Sequence, residues 1–318
     1  MAARYRTPRF GEPLRLAFVG QQTYFEACAL DERSARVHTR YVDFREGADA
    51  EAMRAALDRF APHAVVVFRP EIVPAGALDG LPALTIGFLT EPIPRIGPAR
   101  SRKAHPDLRR RRADLRKADP GLWDRIVAFD PLIVPTADEV LPVWRALPIP
   151  VADRFYGVAG HVDGTPRLGF VGRSTPHRES FLAHPKHELD IVHVAFGLHG
   201  AELDALMASI DVAINLHNEP YPSFENRVCL HLAAGHLVVS ETLSPTHGLE
   251  PGIDYLEFAE PDQLLSMLRT VVRHPGAYRR VRVRGRRKAE QYRASRVWPR
   301  LVADAFADVA AFGTDRRR

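Results

Sequence analysis

Cysteine is scarce in this sequence of 318 residues, which contains only Cys28 and Cys229. Two cysteines exclude a disulfide-rich scaffold, and their separation does not match a zinc site, so a reducing compartment is favoured. The chain also lacks HExxH, GxSxG, CxxC and EF-hand patterns. Their absence argues against metalloproteases, α/β-hydrolases and zinc modules, and we expect no metal site.

Long apolar runs are missing as well. The longest apolar stretches have the length of strands, far below the roughly 20 residues that span a bilayer. The segment from Met1 to Pro13 is polar and basic with no apolar run behind it, unlike a signal peptide. We therefore expect a cytoplasmic protein, with peripheral contact to a membrane left open.

Basic residues are concentrated in two segments, although the net charge is only +5. Residues 100–117, from Arg100 to Lys117, hold nine basic and two acidic residues, and residues 273–300, from Arg273 to Arg300, hold eleven and one. Such patches predict anionic partners, either a membrane surface or a phosphorylated ligand. The alternative is an ordinary solvated helix face. Nucleic acid is the weaker hypothesis, because aromatic stacking residues are sparse and no nucleic-acid module is present.

The first half of the chain alternates apolar strands with helices. Predicted strands are residues 14–20, 37–44, 64–68, 83–89 and 130–135, and predicted helices are 50–60 and 137–147. Strands that are apolar throughout indicate a parallel sheet covered on both faces.

The pattern restarts after a segment rich in proline and glycine at residues 148–165. Predicted strands are residues 167–172, 189–195, 212–216 and 237–240, and predicted helices are 202–209, 226–234, 261–273, 275–292 and 297–312. The sequence thus predicts an α/β fold of two tandem Rossmann-like, doubly wound domains, residues 1–155 and 156–296, followed by a terminal segment, 297–318. Ligands of such sheets bind beyond the carboxyl ends of the strands, and with two domains the natural site is a cleft between them.

A first candidate site follows the strand at 167–172. Thr175 is the expected N-cap of a helix with Pro176 at its first position. Gly172, Arg173 and Arg178 would then surround free backbone amides, an arrangement suited to an anion. The alternative is a capped surface turn in which Arg178 forms an ordinary salt bridge.

A second candidate site spans residues 215–227 and combines Asn215, His217, Glu225, Asn226 and Arg227. We expect Ser223 to be the N-cap of the following helix, leaving amides near Glu225 and Asn226 for a phosphate that Arg227 would also bind. Glu219 or Glu225 could accept hydrogen bonds from ribose or sugar hydroxyls. Taken singly, each residue has an ordinary structural explanation, such as helix-dipole compensation for Glu225.

Further candidates follow other strands. Glu241 and Thr242 end the strand that precedes His247. In the first domain, Gln21, Gln22 and Tyr24 follow the first strand, which lacks the remaining glycines of a dinucleotide fingerprint. Glu91 is the best-placed carboxylate there for a general base, and its alternative role is that of a turn residue before proline.

The second half resembles glycosyltransferases of the GT-B fold, particularly the bacterial group similar to the spore maturation protein CgeB and the group 1 type. The resemblance rests on LGFVGR at 168–173, INLH at 214–217, NRV at 226–228, AAGHLVVS at 233–240, LEPGIDY at 249–255, DQLL at 262–265 and HP at 274–275. The first half is compatible through PHAVVVF at 62–68 and TIGFLTE at 85–91.

The resemblance implies a hexosyltransferase-type enzyme with two domains facing across a cleft. The second domain would hold a nucleotide-diphosphate sugar, the first would hold an acceptor, and the last helix would cross back onto the first. No metal ion or other cofactor is implied, since helix N-termini and basic side chains such as Arg173 and Arg227 would stabilise the leaving diphosphate.

One position departs from the family. Related enzymes carry a glutamate five residues before the glycine, where it binds the ribose hydroxyls, and this chain has Leu230 there. Glu225 lies one turn earlier. The hypotheses are therefore a sugar transferase and, as its alternative, a non-catalytic protein on the same scaffold that binds a nucleotide sugar or a partner.

Overall fold

The computed structural model describes residues 5–95, 106–158, 164–195 and 197–313. The chain divides into two units. The first contains residues 1–149 and 295–318, and the second contains residues 150–294.

The first unit is built on a six-stranded, entirely parallel sheet. Its strands are β1 (Leu14–Gly20), β2 (Val37–Asp43), β3 (Ala64–Phe68), β4 (Leu84–Leu89), β5 (Arg125–Ala128) and β6 (Val143–Ala146). Their order across the sheet is β2-β1-β3-β4-β5-β6. The central strands are apolar and buried along nearly their whole length because helices cover both faces.

Two predictions for the end of this unit are wrong. Residues 130–135 do not form a strand, because the Asp130 side chain accepts the amide of Leu132 at 2.7 Å and caps a 3-10 turn. The strand is β5, which comes earlier and begins with the polar Arg125. The helix expected at 137–147 is instead the short Val134–Ala137 helix followed by β6.

The helices of the first unit are α1 (Gln22–Phe25), α2 (Ala50–Phe60), α3 (Pro106–Leu115), α4 (Val134–Ala137) and α10 (Ala294–Phe312). Asp49 caps α2, its carboxylate accepting the amides of Glu51 and Ala52. The terminal helix α10 packs on this sheet. Its Trp298 is fully buried and donates its indole N–H to the carbonyl of Cys28 at 2.9 Å.

The second unit has a five-stranded parallel sheet. Its strands are β7 (Leu168–Val171), β8 (Ile191–Val194), β9 (Val212–Asn215), β10 (Leu237–Glu241) and β11 (Leu256–Phe258), in the order β11-β10-β9-β7-β8. Its helices are α5 (Pro176–Glu188), α6 (Gly200–Ser209), α7 (Asn226–Ala233), α8 (Pro261–Arg273) and α9 (Arg279–Lys288).

Helix α9 replaces a longer helix predicted at 275–292, because 3-10 turns occupy Pro275–Tyr278 and Ala289–Tyr292. The helix lies very close to its neighbours. A Cβ on Gly285 would stand 2.3 Å from the carbonyl oxygen of Asp254. Glycine at this position is therefore what lets α9 approach the body of the unit.

Candidate functional site

Both sheets have a topological switch point, where the chain reverses the direction in which it adds strands. In the second unit this point lies between β7 and β9, and in the first between β1 and β3. Ligands of open α/β sheets bind outside the carboxyl ends of the strands at such points. The predicted segments 172–178 and 215–227 follow β7 and β9. The topology therefore brings them to the same switch point.

Arg178 holds these two segments together. Its guanidinium donates to the carbonyls of Arg173 at 3.0 Å and of Leu216 and His217 at 3.2 Å. The residue is 3% exposed. Burial, followed by the nearby Arg227, lowers the pKa of Arg178 to about 10. Arg178 thus joins the two loops from a buried position, a role that the sequence could not distinguish from binding a ligand.

Arg227 lies close to Arg178. Its Nη1 donates to the carbonyl of Val171 at 2.5 Å, and its Nη2 lies 2.8 Å from Oε2 of Glu225. A Cβ on Gly172 would stand 2.6 Å from Nη1 of Arg227 and 3.0 Å from Nη1 of Arg178. Gly172 therefore gives both guanidinium groups room beside the backbone that follows β7.

The start of α7 differs from the prediction. Glu225, rather than Ser223, is the N-cap, and its side chain makes no capping hydrogen bond to the helix. The positive end of the helix dipole is therefore available to an anion. Burial alone would raise the pKa of Glu225, but Arg227 and then Arg178 hold it below its ordinary value. The carboxylate is accordingly charged and already paired with Arg227.

Ser223 belongs instead to a hydrogen-bond chain around His217. The Nε2 of His217 lies 2.9 Å from the carbonyl of Thr242, which can only accept, so this nitrogen carries the proton. The Nδ1 then accepts from the hydroxyl of Ser223 at 3.0 Å. Burial lowers the pKa of His217. His217 is therefore a neutral, fixed residue of the loop.

Glu241 ties the same loop to α5. Its Oε2 accepts the backbone amide of His217 at 2.6 Å, and its Oε1 lies 2.9 Å from Nε2 of His177. No local pattern in the sequence pointed to His177. The Glu241 residue is 8% exposed, so it positions the loop with most of its carboxylate covered.

The remaining predicted residues of this unit divide into buried and accessible groups. Asn215 is 1% exposed and donates to the hydroxyl of Ser240 at 2.8 Å, so it links β9 to β10. Arg173 is exposed and donates to Oδ1 of Asn218 at 3.0 Å. Asn226 is half-buried at the first position of α7. Thr175 is the N-cap of α5 and accepts the amide of Arg178, as predicted.

In the first unit, Gln21, Gln22 and Tyr24 follow β1 at the switch point. Gln21 is the N-cap of α1, and the backbone amide of Gln22 donates to Oδ1 of Asp43 at 2.8 Å. Tyr24 is 49% exposed. The two glutamines are half-buried. These side chains offer hydrogen-bonding groups and an aromatic face at the carboxyl edge of the sheet.

Glu91 follows β4 and is held by two arginines. Its Oε1 lies 3.5 Å from Nε of Arg69, and its Oε2 lies 2.9 Å from Nη2 of Arg111. Arg69 also donates to Glu71 at 2.9 Å. Burial raises the pKa of Glu71, although Arg69 opposes that effect. The sequence does not predict that Arg69, Glu71 and Arg111 lie beside Glu91, because only the tertiary fold brings them together.

The two basic segments have different environments. Residues 100–105 lie outside the described residues. Within α3, Arg111 pairs with Glu91, and Arg112 pairs with Glu139. On α9, Arg286 pairs with Glu290, whereas four exposed arginines have no carboxylate partner among the described residues. They are Arg279, Arg280, Arg284 and Arg287, and they flank Val283, which is 45% exposed.

Metal-binding clusters and membrane-spanning helices are both absent from the described ranges. Among those residues no group of histidine, cysteine, aspartate and glutamate is arranged to hold a metal ion. No helix within the same ranges combines the length and apolar character needed to cross a bilayer.

No model of a known protein family matches the chain, and no curated protein sequence matches it. Solved structures do match over nearly the full length. Anabaena Alr3699/HepE in complex with UDP-glucose has a TM-score of 0.58 at 12% identity, covering 93% of this chain and 100% of that one. Sucrose-phosphate synthase from Thermosynechococcus elongatus has a TM-score of 0.55 at 10% identity, covering 94% and 99%. The chain has the GT-B fold.

A further GT-B match is a glycosyltransferase from Rickettsia africae, with a TM-score of 0.54 at 8% identity over 92% of this chain and 99% of that one. Identities this low establish the fold alone. The predicted α/β class with two parallel sheets is therefore confirmed, and so is the return of the last helix to the first sheet. The roles of individual residues in this GT-B chain remain predictions.

Proposed function

We propose that this chain is a glycosyltransferase that moves a sugar from a nucleotide-diphosphate donor to an acceptor without a metal ion. The observation that carries the proposal is that Arg227, Arg173 and the positive end of α7 lie together at the switch point between β7 and β9. Cationic groups beside the positive end of a helix are suited to binding a diphosphate. The GT-B fold and the UDP-glucose complex of HepE support the same assignment.

In the transfer, the bond between the anomeric carbon and the diphosphate oxygen breaks, and a bond to an acceptor oxygen forms. Negative charge develops on the leaving diphosphate, and fixed positive groups lower the energy of that state. Arg227 and the positive end of α7 would supply this stabilisation. Arg178 would hold together the loops that follow β7 and β9, because its donors are engaged with backbone carbonyls of both.

The acceptor side of the proposal involves the first unit. Gln21, Gln22 and Tyr24 would contact an acceptor hydroxyl group, and Glu91 would serve as the general base. Both oxygens of Glu91 face guanidinium groups. An acceptor would therefore have to replace one of these contacts before its hydroxyl could reach the carboxylate. We place the chain in the CgeB-like group of hexosyltransferases on the sequence segments described above.

A second candidate function is that of a non-catalytic protein that binds a nucleotide sugar or a partner. Leu230 favours it, because this half-buried residue stands where related enzymes have a ribose-binding glutamate. Glu225 is a poor substitute, since its carboxylate is paired with Arg227 at 2.8 Å. Both functions predict nucleotide binding, and only the first predicts turnover.

The test is thermal unfolding of the full chain with nucleoside diphosphates and their sugar conjugates, first with a chelator and then with magnesium. A ligand at 100 times its dissociation constant should add about 2.7 kcal/mol to the free energy of unfolding. We expect stabilisation by one nucleotide in chelator, lost in Arg227→Ala and kept in Arg59→Ala, an exposed arginine of α2. Absence of any selective shift would overturn nucleotide binding. An assay for release of nucleoside diphosphate from the sugar conjugate then distinguishes the two functions, because only an enzyme would release it.

A further inference from the structure

A groove with a volume of about 400 Å³ lies on the first unit, far from the residues assigned above. It is lined by Arg15, Arg33, His38, Thr39, Arg40 and Phe60. Arg15 is the second residue of β1, whereas Gln21 follows the end of that strand. Five residues of strand separate Arg15 from Gly20, which corresponds to about 16 Å. The groove is thus at the amino edge of the sheet, opposite the edge that carries the switch point.

Strand register places the basic side chains together. Arg15 of β1 is paired with His38 of the edge strand β2, and Ala17 is paired with Arg40. Because side chains alternate along a strand, Arg15, His38 and Arg40 share one face of the sheet. Phe60, the last residue of α2, lies on this face, where the guanidinium of Arg15 stands 5.0 Å from its ring centre.

The fourth basic group comes from the turn that precedes β2. Arg33 forms an antiparallel bridge with His38. The turn is fixed by Ser34, whose hydroxyl accepts the amides of Arg36 and Val37. An ordered turn therefore positions Arg33 beside the groove.

These arginines differ from several others of the same unit in having no ion pair among the described residues. Arg54, Arg69 and Arg125 each pair with a carboxylate. Among the described residues, Arg15, Arg33 and Arg40 have no such partner, and no aspartate or glutamate lines the groove. Three guanidinium groups around one concavity repel one another, and a bound anion would relieve that repulsion.

We propose that this groove binds a ligand bearing a phosphate group. Guanidinium groups match phosphate oxygens in pairs, and the volume lies within the range of small-molecule sites. The Phe60 ring offers an apolar wall for the part of the ligand that carries the phosphate. The source is either a soluble phosphate ester or the headgroup of an anionic phospholipid. This site is separate from the sugar-donor site and does not depend on the proposed function.

The experiment uses the full chain and two double variants. Arg33→Gln with Arg40→Gln removes two groove charges, and Arg36→Gln with Arg59→Gln removes two exposed charges that do not line the groove. The probes are glucose 1-phosphate, measured by calorimetry, and phosphatidylcholine vesicles containing phosphatidic acid, measured by sedimentation. Thermal unfolding without any probe checks that both variants fold.

We expect at least one probe to bind the groove variant tenfold or more weakly than the wild type, with the control variant near the wild type. Loss of glucose 1-phosphate binding identifies a soluble ester, and loss restricted to vesicles identifies a lipid headgroup. Equal binding by the two double variants, or no binding of either probe to the wild type, overturns the proposal.

Discussion

The carboxylate of Glu225 lies 2.8 Å from the guanidinium of Arg227, the group proposed to hold the diphosphate. Glu225 therefore occupies hydrogen-bonding capacity that a phosphate would use, and it adds a negative charge beside the phosphate. We expect Glu225→Gln to tighten binding of the selected nucleoside diphosphate about threefold to tenfold, a gain of about 1 kcal/mol. Calorimetric titration at fixed ionic strength measures this.

The neighbouring glutamate Glu219 supplies the control for that titration. Glu219→Gln makes the same change of charge on the same loop, where Oε1 of Glu219 accepts from the side-chain amide of Asn218 at 3.4 Å. We therefore expect it to have a smaller effect on nucleotide affinity. Weaker nucleotide binding by Glu225→Gln would instead show that Glu225 contacts the nucleotide, as expected from the sequence.

A substitution at Gly172 probes the same site without removing a charge. Its Cβ would stand 2.6 Å from Nη1 of Arg227, so Gly172→Ala should displace that guanidinium from the carbonyl of Val171. We expect nucleotide affinity to fall about tenfold, a cost comparable to one charge-assisted hydrogen bond. Gly157→Ala is a matched control, because an added methyl group there would have no neighbour within 4 Å. Unchanged nucleotide affinity in Gly172→Ala would show that Arg227 does not contribute to nucleotide binding.

Two buried histidines predict a dependence of stability on pH. Nε2 of His236 lies 2.9 Å from the carbonyl of Met207, so it carries the proton, and Nδ1 of His231 then donates to Nδ1 of His236 at 2.9 Å. Burial lowers the pKa of His236 to about 4 and that of His231 well below its ordinary value of 6.5. Below pH 6.5 the unfolded chain therefore binds protons that the folded chain excludes. The free energy of unfolding consequently decreases as the pH is lowered.

Each of these histidines contributes up to about 1.4 kcal/mol per pH unit between the two pKa values. We expect His231→Leu to lower the free energy of unfolding at pH 7.5 by about 1–3 kcal/mol, because His236 loses a buried donor. The same variant should show a shallower decline between pH 6.5 and 5. Denaturant titrations measure both, with the exposed His184→Leu as control. An unchanged slope would contradict the assignment.

The α9 arginines that have no carboxylate partner among the described residues form a cationic stripe suited to an anionic membrane surface. We expect Arg280→Gln, Arg284→Gln and Arg287→Gln together to weaken sedimentation with phosphatidylglycerol vesicles at least tenfold, at about 1 kcal/mol per charge. The control triple changes Arg36, Arg45 and Arg59, which are also exposed. Binding should decline between about 0.05 and 0.3 M salt. Equal retention of both triples on the vesicles would mean that α9 is only a solvated face.

Much of the fold could be predicted because burial is encoded locally. The strand β3 is apolar throughout, and β1 and β9 are apolar except for Arg15 and Asn215. Gly235 ends α7 in the left-handed conformation that its position after the helix required. The Asp130 region failed for the opposite reason. Its apolar run forms a capped turn in which only Ile133 is buried, and β5 begins with Arg125, whose charge is met by Asp308 from the far end of the chain.

The sequence predicted that the candidate residues follow strand ends, as they do in the structure, but it did not predict their contacts. Strand ends indicate where polar residues gather, and Thr175 with Pro176 is a local signal for a helix start. Ser223 is also a residue type that favours an N-cap, yet its hydroxyl bonds to His217 and the N-cap is Glu225, although α7 itself begins at Asn226 as predicted. The contacts of Arg178 and Glu91 depend on partners distant in sequence, which no local pattern reports.

The burial of Trp298 also bears on how the chain is made. Its ring packs against Phe18, Phe68 and Phe88, so the first sheet lacks part of its core until α10 has been synthesised. The second unit, residues 150–294, is by contrast one continuous segment of the chain. During translation, the middle of the chain can therefore reach its final structure while the earlier segment still exposes aromatic surface. A chaperone would bind that exposed surface of the nascent protein.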